Sequence, residues 1–166
     1  MALRNLQPRP ATAADKDELV RLRAFLLSTG DGAYVARDPA EDAAWRHGYR
    51  VWLDRVLTRR DDRVHVAVIG GPARLDACAI AVVDDRAPTA HCPEGRAGWV
   101  QSVVVDPARR RQGLGSRVMA YTLAWLRAQG ASPVALQTTG DGARLYRNLG
   151  FRSTGEDLLT LDLRGT

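Results

Sequence analysis

The feature that most constrains the fold is the run Val103–Val105, which ends at Asp106-Pro107 and leads into an arginine-rich turn. β-Branched residues favour a buried strand, and the proline stops it. Gly113 and Gly115 then open a helical pattern, so we predict a strand, a tight loop and a helix N-terminus. Such a loop presents unpaired backbone N–H groups and the positive end of a helix dipole, which suit a pyrophosphate. The sequence therefore predicts a site for a phosphate-bearing cofactor.

Two common phosphate-binding loops are excluded by what this segment lacks. A nucleoside-triphosphate loop needs Gly-Lys-Ser/Thr, which is absent, and a dinucleotide fingerprint needs a third glycine where this chain has Val118. The spacing Arg110-x-x-Gly113-x-Gly115 instead resembles the coenzyme-A-binding motif of the GNAT superfamily of acyl-CoA-dependent N-acyltransferases.

A second segment resembles the same family. Leu145-Tyr146-Arg147-Asn148-Leu149-Gly150-Phe151 is similar to the end of the family's fourth helix, where a tyrosine lies five residues before a phenylalanine. Arg9–Asp15 resembles the family's first strand leading into its first helix. The resemblance covers Trp99–Phe151 well and is weak over Gly30–Arg96, the region that varies with the acceptor in such proteins.

The resemblance implies a mixed α/β fold with a central sheet of about six to seven strands and about four flanking helices. A length of 166 residues predicts one domain, and the family implies that residues 1–166 form a single N-acetyltransferase domain. The implied activity is transfer of an acetyl group from acetyl-CoA to a primary amine of a small molecule or protein, by direct attack in a ternary complex. A non-catalytic acyl-CoA-binding or regulatory domain is the alternative.

The resemblance also implies which residues hold the cofactor. The backbone of Val103, Val104 and Val105 is expected to hold the pantetheine arm where this strand diverges from the next one, Pro133–Thr138. The remaining expected cofactor contacts come from the phosphate loop and the fourth-helix region: Arg110, Arg111, Gln112, Gly113, Leu114, Gly115, Ser116, Thr138, Asp141, Ala143 and Tyr146.

Acyl transfer from a thioester to an amine requires that the amine loses a proton and that the departing thiolate gains one. The resemblance implies that Tyr146 is the acid, and a phenol with a pKa near 10 can protonate a thiolate. Its alternative role is to pack beside Leu145 and Leu149. Asp141 either caps the fourth helix or bonds pantetheine. The sequence contains no recognisable Ser-His-Asp pattern.

The general base and the acceptor site stay open at this point. The candidate bases are Glu94, Asp84, Asp85, His65, His91 and Gln101 acting through water. We expect acceptor recognition from Gly30–Arg59 and Asp84–Arg96, which match the family least. The stripe of Trp45, Tyr49 and Trp52 lines either an acceptor pocket or the core.

Apolar periodicity predicts strands and helices that alternate, with an antiparallel first half of the sheet. The expected strands are Leu6–Pro10, Val64–Ile69, Leu75–Val83, Trp99–Val105, Pro133–Thr138 and a final pair over Phe151–Leu163. The expected helices are Thr12–Ser28, Asp38–Arg59, Gly113–Gln129 and Asp141–Leu149, with loops at Gly30–Asp38 and Asp84–Gly98.

Composition sets the remaining expectations. The net charge is +5, and Lys16 is the sole lysine, so the positive charge is almost all arginine. Only Arg109–Arg111 cluster, which argues against nucleic acid as a partner. Cys78, Cys92 and the three histidines are scattered, so we expect free thiols and no metal. No apolar run reaches the ~20 residues of a membrane span. We expect a cytoplasmic protein with no membrane partner, and a homodimer is left open.

Overall fold

The computed structural model describes residues 7–28, 34–58 and 61–165, which contain one five-stranded sheet. The strands follow chain order across the sheet, and each neighbouring pair is antiparallel except the last, which is parallel. They are β1 (Pro8–Pro10), β2 (Val64–Gly71), β3 (Arg74–Asp85), β4 (Arg96–Val105) and β5 (Val134–Leu136).

Four α-helices flank the sheet, as the sequence predicts: α1 (Lys16–Ser28), α2 (Pro39–Thr58), α3 (Leu114–Ala128) and α4 (Ala143–Asn148). The expected strand start at Leu6, the first part of the loop from Gly30 and the expected helix end at Arg59 lie outside the described residues. α2 begins where its signals predict, because the Asp38 carboxylate accepts a hydrogen bond of 2.8 Å from the Glu41 N–H and Pro39 opens the first turn.

The helices cover both faces of the sheet. Alternate strand residues point to opposite faces, so Val66 and Val68 of β2 pack with α1 and α2, whereas Ala67 and Ile69 pack with α3. The middle strands are therefore apolar on both sides, which explains why they read as continuous hydrophobic runs. The stripe on α2 belongs to this core: Tyr49 is buried, and Trp45 and Trp52 pack against the same cluster.

The entry to α1 is fixed by a buried carboxylate. Asp15 accepts a hydrogen bond of 2.8 Å from the Thr12 N–H and receives two from Arg9, at 2.7 and 2.8 Å. Asp15 is fully buried, so these bonds offset its desolvation. The Thr12-x-x-Asp15 capping pattern is confirmed.

The strand count is lower than expected, five rather than six to seven. The final strand pair over Phe151–Leu163 does not form: within the described chain these residues pair with no strand, and the segment ends in a 3-10 turn at Leu163–Gly165. Leu159, Leu161 and Leu163 alternate as in a strand, yet they are exposed. An alternating pattern makes a strand only where a partner accepts its backbone hydrogen bonds.

The expected loop Asp84–Gly98 is shorter than predicted. β3 continues through Asp85 and β4 starts at Arg96, with Asp84 opposite Ala97 in the ladder. Backbone pairing does not depend on side-chain polarity, so it extends past the apolar core that marked the strands in the sequence.

Candidate acyl-CoA cleft

The candidate site is a cleft where β4 and β5 diverge. The two strands pair only over Gly98–Val100 and Val134–Leu136, after which β4 continues to Val105 paired with β3 on its other edge alone. This opens a cavity of about 970 Å³. Its lining brings together most of the predicted site: Val103, Val104, Val105, Arg110, Arg111, Gly113, Leu114, Gly115, Ser116, Thr138, Asp141 and Tyr146. Gln112 and Ala143 are not among the lining residues.

The loop between β4 and α3 forms one end of the cleft. Arg111 and Gly113 have left-handed backbone angles, with φ of 60° and 74°, and α3 starts immediately afterwards at Leu114. The first turn of α3 has neither an acidic residue nor a side-chain cap. No side chain of that turn therefore caps its free N–H groups or offsets the positive end of the helix dipole.

The space over this loop fits a pyrophosphate. A Cβ built on Gly113 meets no heavy atom within 4 Å, so the backbone is open to close approach at that point. Arg110, Arg111 and Ser116 are exposed and line the same end of the cleft. Two arginines, a hydroxyl and the helix N-terminus together suit the phosphates of coenzyme A, and nothing in this donor set conflicts with them.

The middle wall is the divergent half of β4, which carries a bulge. The register moves from Gln101 opposite Ile80 to Val104 opposite Cys78, and Ser102 takes a left-handed φ of 54°. A bulge bends its strand and re-aims the residues beside it. The bend lies where β4 leaves β5, so it contributes to opening the cleft.

Tyr146 lies on α4 and lines the cleft. Its ring packs edge to face on Phe151, and burial raises the pKa of its phenol. The hydroxyl is therefore protonated at neutral pH, as a proton donor must be. Both the acid role and the packing role are compatible with this position, because the ring packs on α4's neighbours and also lines the cleft.

Asp141 does not cap α4. It lies in the 3-10 turn Gly140–Gly142, and α4 begins with Gly142 as its cap and no side-chain hydrogen bond there. The aspartate is exposed and lines the cleft, and its contact with pantetheine stays a prediction.

The structure separates the candidate bases. Of the six, Gln101 alone lines the cleft. His65 instead stacks on Trp125 with ring centroids 4.9 Å apart, and burial lowers its pKa. Asp85 pairs with Arg63 at 2.6 Å. The acidic and histidine side chains of the Asp84–Glu94 segment are therefore not at the cleft.

The acceptor segments are only partly placed at the cleft. Within the described residues of Gly30–Arg59 and Asp84–Arg96, Tyr34 lines the cavity and the others do not. Sequence reasoning missed further lining residues, chiefly from the second half of α1 and from α4: Arg23, Phe25, Leu26, Leu27, Gln137 and Arg144. On α1 these residues follow the helical pattern of a core-facing element, so no local signal distinguished them from packing residues.

Three other expectations concern features outside the cleft. Cys78 and Cys92 are both free and buried. No cluster of histidine, cysteine or acidic side chains in the described ranges has the grouping of a metal site. None of the helices in the described part of the chain combines the length and apolarity that a membrane crossing requires.

The fold is one that acetyltransferases have. A family model described as the acetyltransferase (GNAT) family matches residues 33–151, which is more than half of the chain. The protein therefore belongs to the GNAT family of acetyltransferases.

A curated relative from rice, glucosamine 6-phosphate N-acetyltransferase 1 of Oryza sativa subsp. japonica, is 37% identical over 91 residues. The match covers 55% of this chain and 53% of the relative, so the chain spans about half the length of the curated relative that it matches.

Solved structures share the fold over nearly the whole chain. A GCN5-related N-acetyltransferase from Ralstonia eutropha JMP134 has a TM-score of 0.75 at 24% identity, covering 93% of this chain and 97% of its own. A predicted acetyltransferase from Clostridium acetobutylicum, crystallised with acetyl-CoA, has a TM-score of 0.76 at 18% identity, with 95% and 96% covered. The glucosamine-6-phosphate N-acetyltransferase of Arabidopsis thaliana has a TM-score of 0.70 at 18% identity, with 93% and 97% covered.

Proposed function

We propose that this protein transfers an acetyl group from acetyl-CoA to a primary amine, with both substrates bound in the β4–β5 cleft. The observation that carries the proposal is the alignment of three features along one cavity. The basic loop with a helix N-terminus, the divergent part of strand β4 and Tyr146 of α4 all line it.

The cofactor would be held mainly through backbone groups. Gly113 lets the loop approach the pyrophosphate, while Arg110 and Arg111 neutralise part of its charge. Val103–Val105 would hold the pantetheine arm through N–H and C=O groups on the edge of β4 that β5 leaves uncovered. One of these N–H groups would polarise the thioester carbonyl.

The transfer balances without a covalent protein intermediate. The amine nitrogen forms a bond to the carbonyl carbon, and the carbon–sulfur bond breaks. Tyr146 gives its phenolic proton to the departing sulfur, the amine's proton leaves through water on the side of Gln101, and solvent returns a proton to the Tyr146 oxygen. Positioning of two bound substrates supplies much of the rate, so a dedicated nucleophile is unnecessary.

The acceptor is a separate part of the proposal. The rice and Arabidopsis proteins are named for an amino-sugar phosphate. Because the identity to both is modest and the rice match covers about half of each chain, glucosamine 6-phosphate is here one test compound among amines.

The test is release of free thiol when the protein meets acetyl-CoA and a panel of amines, with the N-acetylated product identified by mass spectrometry. The proposal expects amine-dependent thiol release. Tight binding of acetyl-CoA without transfer to any amine would instead support the alternative, a non-catalytic acyl-CoA-binding domain.

A further inference from the structure

Arg23 occupies an unusual position in the cleft. It lies half-buried on α1, lines the cavity, and donates a hydrogen bond from Nη1 to the Ser102 hydroxyl at the bulge of β4. Its guanidinium also lies over the Tyr49 ring, 4.7 Å from the centroid. Both contacts are to neutral groups, so they orient the side chain without neutralising its charge.

The other half-buried arginines of the described chain have a different environment. Each of the five pairs with a carboxylate: Arg9 with Asp15, Arg21 with Asp106, Arg46 with Asp42, Arg50 with Asp17 and Arg109 with Asp76. Arg23 makes no ion pair within residues 7–28, 34–58 and 61–165. This fold neutralises its partly desolvated arginines, and Arg23 is the exception at a cavity wall.

The ionisable neighbours do not supply the missing charge. Burial raises the pKa of the Cys78 thiol to about 12 and also raises the pKa of Tyr49, so both are neutral at pH 7. The acidic side chain among the described cleft-lining residues, Asp141, lies in the turn before α4 and forms no ion pair with Arg23.

Arg23 is also separate from the phosphate end. Ser102 precedes the end of β4 by three residues, roughly 10 Å of strand, and Arg110 and Arg111 lie in the loop beyond that end. The loop arginines and the N-terminus of α3 already serve the pyrophosphate. Arg23 therefore lies at the acceptor end, beside Phe25 and the other α1 residues of the wall.

We propose that the acceptor is an amine that also carries an anionic group, a carboxylate or a phosphate, and that Arg23 binds this group. The proposal rests on the proposed acetyl transfer and names its substrate class. A guanidinium has five N–H donors, and those not used by Ser102 can form a two-pronged contact with either anion. A polyamine or a lysine-rich peptide would place further positive charge against Arg23 and is disfavoured.

The experiment compares acceptors in matched pairs that differ by the anion: glucosamine 6-phosphate against glucosamine, and an amino acid against its amide. Rates are measured for wild type, Arg23→Gln and Arg23→Lys. The control is Arg55→Gln, which removes the same charge from an exposed position on α2 outside the cleft. Melting temperatures and acetyl-CoA affinities are measured for all four proteins.

Wild type should prefer the anionic member of at least one pair, and the pair preferred distinguishes a phosphate from a carboxylate. Arg23→Gln should raise KM for that member about 10–100-fold, the usual worth of a hydrogen bond to a charged group. Arg23→Lys should raise KM less than Arg23→Gln does, because lysine keeps the positive charge but cannot form the two-pronged contact of a guanidinium. In Arg23→Gln, KM for the uncharged member and the affinity for acetyl-CoA should not change. Arg55→Gln should have the wild-type KM for both members.

Two results overturn the role of Arg23 in binding the anion. One is a wild-type protein that does not prefer the anionic member of any pair, and the other is an Arg23→Gln variant in which KM rises equally for both members. Failure of the transfer itself is distinguished by calorimetry. If no amine is acetylated, binding of glucosamine 6-phosphate and of the amino acid to the protein–coenzyme A complex still decides the role of Arg23. Binding of either compound that weakens in Arg23→Gln supports the role, whereas binding of neither, or binding that Arg23→Gln leaves unchanged, overturns it.

Discussion

Tyr146 and Phe151 pack edge to face, with ring centroids 6.0 Å apart, and the Phe151 N–H donates to the Tyr146 carbonyl at 3.0 Å. The turn that ends α4 therefore fixes the tyrosine through both its ring and its backbone. The phenolic oxygen takes no part in either contact, which leaves it available to the cleft.

Tyr146→Phe should consequently remove a proton donor without disturbing the packing. We expect turnover to fall by about 10²–10⁴-fold, the usual contribution of general acid catalysis. Acetyl-CoA affinity and melting temperature should barely change. Single-turnover rates are the appropriate measurement, because slow product release hides the chemical step. A wild-type rate in the variant would assign Tyr146 to packing alone.

Gly113→Val should weaken coenzyme A binding. The added side chain would project into the space left open above the loop, so calorimetry should show a loss of at least ~10-fold, about 1.4 kcal/mol. The left-handed backbone adds about 1–2 kcal/mol of strain to the folded state.

Gly130→Val is the matched control. Gly130 has a similar φ of 69° and equally open surroundings, but it follows the other end of α3, away from the cleft. It should show the same loss of stability with unchanged coenzyme A affinity. Equal affinities in the two variants would contradict the placement of the pyrophosphate at Gly113.

Tyr34→Ala should affect the acceptor and not the cofactor. Tyr34 is 58% exposed and lines the cleft from the segment before α2. Loss of an aromatic contact worth about 0.5–1.5 kcal/mol predicts a rise of about 2–10-fold in the acceptor's KM. Val51→Ala, at a similarly exposed apolar residue outside the cleft, should leave both substrates unaffected. A changed acetyl-CoA affinity in Tyr34→Ala would place this residue at the cofactor instead.

Asp106, directly after β4, should make stability depend on acidic pH. Burial raises the pKa of its carboxyl, but hydrogen bonds from Ala108 N–H, Arg21 and Arg74 outweigh burial and lower it overall. A lowered folded-state pKa stabilises the protein above the unfolded value of about 4, and that contribution is lost as the pH falls through the folded-state pKa. Urea unfolding between pH 6 and 2 measures the loss.

Asp106→Asn should lower the free energy of unfolding at pH 7 by about 1–3 kcal/mol, because it removes the charge that accepts hydrogen bonds from Arg21 and Arg74, and should flatten this pH profile. Asp162→Asn is the comparison. Arg164 lowers the pKa of Asp162 to about 2, but the pair is exposed and screened by solvent. Its substitution should leave stability unchanged, and an equal effect of the two substitutions would contradict the argument from burial.

The part of the fold that local chemistry determines could be predicted from the sequence. The valines of β4, the proline after them and the glycines before α3 each have a local backbone reason, and the loop and helix lie where they indicate. The capping signals at Thr12 and Asp38 are likewise confirmed.

The rest depends on contacts that local pattern does not encode. Leu159 and Leu161 alternate with polar residues as in a strand, but they belong to no strand of the described sheet. Arg23 reaches Ser102 across 79 residues of sequence. Ser102 has a left-handed backbone angle although it is not a glycine, so the sequence does not predict the bulge there. The α1 side of the cleft is built from such long-range contacts, so its lining residues were missed.

The most direct test of acetyl transfer uses acetyl-CoA with an isotopically labelled acetyl group, followed by mass spectrometry of both protein and amine. We predict that the label moves to the amine nitrogen, with one free thiol released for each amide formed and none of the label on the protein. Label retained on the protein, or acetyl-CoA recovered intact with every amine despite tight binding, would contradict direct transfer in this cleft.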